Sequence, residues 1–156
     1  MRKQFAKSLV EMGERDPRVL LVSGDVGGAL FDEFVGKFPK RFFNVGLCEQ
    51  SMVGVAAGLA LSGWRPVVYT ITPFLIERAF EQVKLDVAQQ QAAVGLVGYA
   101  DYPTYGPSHA ELNGPALMGL LPSITSIFPK STAEVEQFMT TVNPDAPWFM
   151  SLKRAS

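Results

Sequence analysis

The 156 residues suit one domain, and at this size roughly 70% of the surface exposed by the unfolded chain can be buried. Fourteen Lys and Arg against fifteen Asp and Glu give a formal charge of −1 and no field to attract a nucleic-acid backbone, so nucleic-acid partners are not expected. One cysteine, Cys48, and one histidine, His109, exclude an internal disulfide framework and a Cys/His structural zinc site, and no metal ligands are assigned.

A single cysteine fits a reducing, cytoplasmic setting, and Met1–Lys7 does not read as a secretory signal. Phe5, Leu9, Val10 and Met12 recur at helical spacing, predicting a first helix over about 3–14. Asp16-Pro17 interrupts it. Arg18–Val22 then reads as a strand ending in the turn residues Ser23-Gly24-Asp25, and Arg41–Val45 as a second short strand. Glu49 to Leu61 predicts a helix with so few charges that burial is expected. Its Gly54 and Gly58 offer a smooth face for a subunit or domain contact, because the stretch is too short to span a membrane.

Pro66–Thr70 is the next predicted strand, followed by an amphipathic helix of several turns from Phe74 to about Gln91. Ala93–Val97 reads as a strand leading into a Gly/Pro/Tyr loop, Gly98–Pro107. Leu112–Leu121 reads as a short helix interrupted by Pro115, and Ser123–Phe128 as a strand. Ser131-Thr132 with Glu134 opens a further helix, and Trp148–Leu152 is a last strand. The alternation predicts an α/β fold, a three-layer α/β/α sandwich around a mostly parallel sheet.

In such a sheet ligands bind beyond the carboxyl ends of the strands. Three of these ends carry polar or aromatic residues: Ser23–Gly28, Asn44–Gln50 and Thr70–Phe74. The glycines of Asp25–Gly28 suit a tight turn; a phosphate cradle is the rival reading, but the full G-x-G-x-x-G spacing and a Walker lysine are both lacking. Glu49 at the head of an apolar helix is explained either by the helix dipole or as a carboxyl held among apolar neighbours to share a proton with a ligand.

The string Phe43-Asn-Val-Gly-Leu-Cys-Glu-Gln-Ser-Met52, followed by Ala56-Ala-Gly-Leu-Ala60 and Gly63-Trp-Arg-Pro66, resembles the pyrimidine-binding domain of transketolases. That family's relatives include 1-deoxyxylulose-5-phosphate synthases and 2-oxoacid dehydrogenase beta subunits. The resemblance continues in order through Tyr69–Phe74, Arg78-Ala-Phe-Glu-Gln-Val83, Gly106-Pro-Ser-His109, Pro122, Pro129 and Pro147–Lys153. It covers nearly all of 1–156, with one extra residue around Leu75–Glu77 relative to some members.

The resemblance implies that Glu49 is the catalytic carboxyl. It would hydrogen-bond N1′ of the thiamine diphosphate aminopyrimidine, so that the cofactor can act as electron sink for carbon–carbon cleavage. Phe74 falls where an aromatic ring lies against that pyrimidine, and Asp25 where an acid stands near the cofactor and a subunit contact. Arg2 and His109 fall on positions serving sugar-phosphate or donor recognition. Lys153 replaces the usual phosphate-binding arginine, Tyr105 an aspartate that contacts a donor hydroxyl, and Ala110 a second histidine of split forms. These departures put the standard pentose-phosphate substrates in question.

No Gly-Asp-Gly followed by paired asparagines occurs, so the diphosphate-binding domain and its Mg2+ site, like the carboxyl-terminal third domain, are not expected in this chain. The resemblance therefore implies a split enzyme. This chain would be the pyrimidine-binding subunit of a hetero-oligomer, such as a heterotetramer, acting on sugar (phosphate) substrates with no membrane partner. The alternatives are a decarboxylating thiamine enzyme subunit and a non-catalytic interaction subunit that keeps the fold.

Overall fold

The computed structural model describes residues 1–100 and 105–153. Six strands form one sheet: β1 (Val19–Ser23), β2 (Phe42–Asn44), β3 (Arg65–Ile71), β4 (Gly95–Ala100), β5 (Thr125–Ile127) and β6 (Trp148–Lys153). Their order is β2-β1-β3-β4-β6-β5 and every neighbouring pair is parallel. Parallel strands need crossovers, and the crossovers bury both faces of the sheet. Hence β1 is buried along its whole length, without polar–apolar alternation.

One face is covered by α1 (Arg2–Arg15), α2 (Asp32–Lys37) and α6 (Thr132–Thr141), around a core of Phe5, Leu9, Phe34, Tyr69, Met139 and Met150. The other is covered by α3 (Glu49–Leu61), a helical segment over 74–88, and α5 (Gly114–Gly119), around Met52, Val53, Val68, Leu75, Leu96 and Phe149. The turn from α1 into β1 is held twice. Arg41 Nη1 reaches the carbonyls of Gly13, Asp16 and Val19 at 3.0–3.2 Å, and Asp16 accepts from both the Arg18 amide and its guanidinium. Ser131 caps α6 by accepting from the Glu134 amide, as its sequence predicts.

Four expectations need correction. The helix expected from Phe74 to Gln91 ends at Ala88 and is wound wide: π turns at Phe74–Arg78 and Val83–Ala88 flank a single α turn, α4 (Phe80–Gln82). A π turn closes its ring one residue later than an α turn, so it takes up one additional residue. The first π turn coincides with the extra residue at 75–77.

Secondly, the strand expected at Ala93–Val97 runs from Gly95 to Ala100, so Gly98 belongs to the sheet, not to the loop. A β-carbon at Gly98 would lie 2.7 Å from the Thr72 Cα, and this close approach explains the glycine. The rest of the loop expected over 98–107 falls partly outside the described residues. Thirdly, Pro115 does not interrupt α5; it stands in its first turn, where its missing N–H costs nothing, and Asn113 caps the helix by accepting from the Ala116 amide. Fourthly, α3 is buried on one side only. Met52, Val53, Ala56, Ala57 and Ala60 are in the core, whereas Val55, Gly58 and Leu61 are exposed. Leu47 is exposed just before it.

Candidate functional site

The strand order reverses between β2-β1 and β3, which opens a crevice beyond the carboxyl ends of β1 and β3. Three chain segments converge there. The first is the turn after β1. Asp25 adopts a left-handed φ of 57°, its amide donates to Asn44 Oδ1 at 3.1 Å, and its Oδ1 accepts from Asn44 Nδ2 at 2.9 Å. Gly27, at φ 101°, completes a tight turn against Phe31. The turn is thus explained by its own bonding, as the simpler reading of Asp25–Gly28 has it.

The second segment leads from β2 into α3. Glu49 is the first residue of α3, where an acid is favoured by the helix dipole, yet it is only 2% exposed. Its Oε2 accepts from Arg78 Nη1 at 3.1 Å, while its buried Oε1 has no hydrogen-bond partner among the described residues. A buried, unsatisfied carboxylate oxygen is costly to maintain and marks a place where a donor is missing. Met52, one turn on, packs in the core beside β3, which fixes the first turn of the helix.

The third segment follows β3. Thr72 and Ser151 share a buried hydrogen bond of 3.0 Å, tying this corner to β6. Pro73 then starts the π turn with Phe74, whose ring is nearly buried. The Arg78 guanidinium carbon lies 3.9 Å from the Phe74 ring centroid, and the His109 ring meets Phe74 edge-on with centroids 4.8 Å apart. Tyr105 in turn lies 5.7 Å from His109.

Glu49, Arg78, Phe74, His109 and Tyr105 are therefore linked contact by contact. His109 and Tyr105 also line a hollow of about 290 Å³ with Arg2, Tyr69 and Tyr99. In it Arg2 Nε donates to the Tyr69 hydroxyl at 2.8 Å and the guanidinium lies over Tyr99 at 4.3 Å. Lys153 is not in this hollow. It lines an adjoining one with Arg2, Lys3, Tyr99 and Thr132. Asp25 is exposed and bonded to Asn44, on the opposite flank of the crevice from Lys153.

Several residues of this constellation carried no role in the sequence reading. Arg78 stood only inside a longer motif, and its spacing of four from Phe74 was the available signal. Asn44 and the Thr72–Ser151 pair gave none, because their partners come from distant strands.

A sequence profile described as the transketolase pyrimidine binding domain matches residues 1–156. The chain belongs to the transketolase pyrimidine-binding family. Within it, the chain is 35% identical over 147 residues to a 1-deoxy-D-xylulose-5-phosphate synthase of Microcystis aeruginosa, covering 89% of this chain and 22% of that protein. It is 49% identical over 86 residues to an uncharacterized 33.6 kDa protein in the fasciation locus of Rhodococcoides fascians, covering 55% of this chain and 28% of that one. The chain thus spans about a quarter of the length of these curated relatives.

Among solved structures it superimposes on a split gene transketolase, an inactive β4 tetramer, with a TM-score of 0.87 and 29% identity. That match covers 98% of this chain and 50% of the other. A transketolase variant from Pichia stipitis shares the fold at a TM-score of 0.78 and 17% identity, over 97% of this chain and 25% of that one. The pyrimidine-binding family is a domain of thiamine diphosphate enzymes. Among the described residues no helix is long and apolar enough to cross a membrane, and no group of three or more His, Cys, Asp or Glu is placed to hold a metal ion.

Proposed function

We propose that this chain supplies the pyrimidine half of a thiamine diphosphate site. A second polypeptide would hold Mg2+ and the diphosphate, and the assembly would transfer a two-carbon ketol unit from a ketose (phosphate) donor to an aldose acceptor. The observation that carries the proposal is the buried Glu49 with its unpartnered Oε1, set beside the Phe74 ring through Arg78. A ring nitrogen sharing a proton is the kind of group that would satisfy this oxygen, and an aromatic ring is the kind that would lie on Phe74. The residues present therefore fit the cofactor's aminopyrimidine. Thiamine diphosphate, when bound, supplies the carbanion-stabilising centre that a protein side chain cannot provide.

Each residue then has a defined task. Glu49 would share a proton with a ring nitrogen through one carboxyl oxygen, and burial keeps water from competing for that contact. Phe74 sets the plane of the ring. His109, which meets Phe74, and Tyr105, which meets His109, line the tyrosine-lined hollow and would contact the donor. Arg2 and Lys153 border adjoining hollows and would bind its anionic end, with Lys153 offering a point charge in place of a planar fork. Asp25, held by Asn44, would face the second subunit. The exposed side of α3, with Val55, Gly58 and Leu61 beside the half-buried Gly54, is smooth and apolar enough to serve that contact.

Support for a separate partner comes from the split gene transketolase, whose fold this chain matches over half of that protein's length. The experiment is reconstitution with a polypeptide carrying the Gly-Asp-Gly and asparagine signature. Ketol transfer should appear on mixing and disappear with Glu49→Ala; full activity of the Glu49→Ala complex overturns the proposal. A decarboxylating reaction is the second reading, favoured by the synthases 35–37% identical to this chain. Release of carbon dioxide from pyruvate by the same complex would select it.

A further inference from the structure

Arg78 is the one charged group in contact with both Glu49 and Phe74 among the described contacts. Its side chain is 44% exposed, whereas that of Glu49 is 1% exposed. The flat guanidinium donates to the carboxylate at 3.1 Å and lies 3.9 Å from the ring centroid. A planar, nitrogen-bearing group that lies over Phe74 and hydrogen-bonds to Glu49 is also what an aminopyrimidine would be there. One cation thus occupies both contacts that the pyrimidine reading requires.

We propose that Arg78 is a displaceable latch, holding the Phe74 face and the Glu49 carboxylate until a pyrimidine ring takes its place. The inference rests on the proposed pyrimidine-binding role of Glu49 and Phe74. Three features make the arginine a temporary occupant. Its outer end is in solvent, so swinging away sacrifices little packing. It satisfies only one oxygen of Glu49 and leaves Oε1 without a partner, so it is an incomplete substitute for the missing donor. Finally, it ends a π turn, Phe74–Arg78, whose hydrogen bonding is already out of α register.

The latch gives the buried Glu49 carboxyl a guanidinium partner when no ring is present. An uncompensated buried carboxylate would be strongly destabilising, and the guanidinium supplies the compensation. It also means that the ring must compete with a tethered group, which lowers apparent affinity by the fraction of molecules in which the latch is open.

The probe is 4-amino-5-hydroxymethyl-2-methylpyrimidine, the ring half of the cofactor, titrated into the intact chain by ligand-observed NMR. Four proteins are compared: wild type, Arg78→Met, Glu49→Gln and the double variant, each checked for folding by circular dichroism. Arg78→Met is expected to bind the ring about tenfold more tightly than wild type, corresponding to a latch closed in nine molecules of ten. Arg78→Lys should fall between them. Millimolar guanidinium chloride should return Arg78→Met towards wild-type affinity, and on the Glu49→Gln background the arginine substitution should change nothing.

Equal or weaker binding by Arg78→Met overturns the latch and leaves the pyrimidine reading standing. Absence of ring binding in all four proteins overturns that reading and the latch with it. Should Arg78→Met fail to fold, Arg78→Gln carries the same comparison.

Discussion

Asn44 grips Asp25 from both sides: its amide nitrogen donates to the Asp25 carboxylate at 2.9 Å while its carbonyl oxygen accepts from the Asp25 backbone amide at 3.1 Å. The same oxygen also accepts from the Gly46 amide at 3.1 Å. This clasp joins the carboxyl ends of β1 and β2 and sets the direction in which the chain enters α3. Replacing Asn44 with Ala should cost about 1–2 kcal/mol of stability, given net contributions of about 0.5–1.5 kcal/mol per hydrogen bond. Urea denaturation measures that loss. If the clasp positions Glu49, cofactor affinity of the proposed assembly should fall in the same variant.

Glu49 is the side chain on which the proposed chemistry depends. In the reconstituted complex Glu49→Gln should reduce turnover by about 10²–10⁴-fold, the usual range for a positioned proton-sharing group. Fold and assembly should survive, because a carboxamide fills the same volume. Steady-state kinetics with size-exclusion chromatography separate loss of chemistry from loss of the complex.

Phe74 is expected to act on binding more than on turnover. Phe74→Ala removes a stacking surface of about 0.5–1.5 kcal/mol, so cofactor affinity should weaken about two- to tenfold. The calorimetric dissociation constant reports it directly. Phe74→Leu, which keeps bulk without an aromatic face, should lose affinity while sparing the fold.

Gly98 is a packing constraint. With the Thr72 Cα 2.7 Å from where its β-carbon would sit, Gly98→Ala must push apart β4 and the corner that carries Phe74. Overpacking of this kind costs about 1–3 kcal/mol. The thermal midpoint should fall accordingly, and the buried Thr72–Ser151 hydrogen bond should be disturbed with it.

Asp16 gives the fold a pH dependence. The hydrogen bonds from Arg18 hold its carboxyl below the ordinary aspartate value, outweighing the opposing effect of burial. A carboxyl depressed in the folded state stabilises above its unfolded pKa, and that contribution is lost as pH falls through the folded value. Asp16→Asn should therefore cost roughly 0.5–1 kcal/mol at pH 7, a modest figure because Arg18 is half in solvent. The difference from wild type should vanish in strong acid, as denaturant midpoints across the acid range would show.

Much of the architecture is legible in the sequence because parallel strands buried on both faces write themselves as compact apolar runs. Val19–Ser23 and Trp148–Lys153 are found within a residue or so, and Ser131 announces α6 through its side chain. The errors share a cause. Gly98 and Pro115 are both read as breakers, yet tertiary contacts place one in a strand against Thr72 and the other in the first turn of α5. Apolar spacing over 74–88 fits a regular helix, and nothing in the residue types announces that two of its turns are wide. Glu49 and Phe74 were reached through resemblance, whereas the arginine between them emerges only when the helical segment is wound in three dimensions.

The strand order also constrains how the molecule is made. Of the six strands described, β6 is synthesised after the other five, yet it lies between β4 and β5, and among the described residues β5 has no other neighbour in the sheet. Until Trp148–Lys153 leaves the ribosome, β4 presents a bare hydrogen-bonding edge and β5 cannot join at all. The nascent polypeptide therefore carries an unsealed seam from the emergence of β4 until that of β6, and a single event closes it.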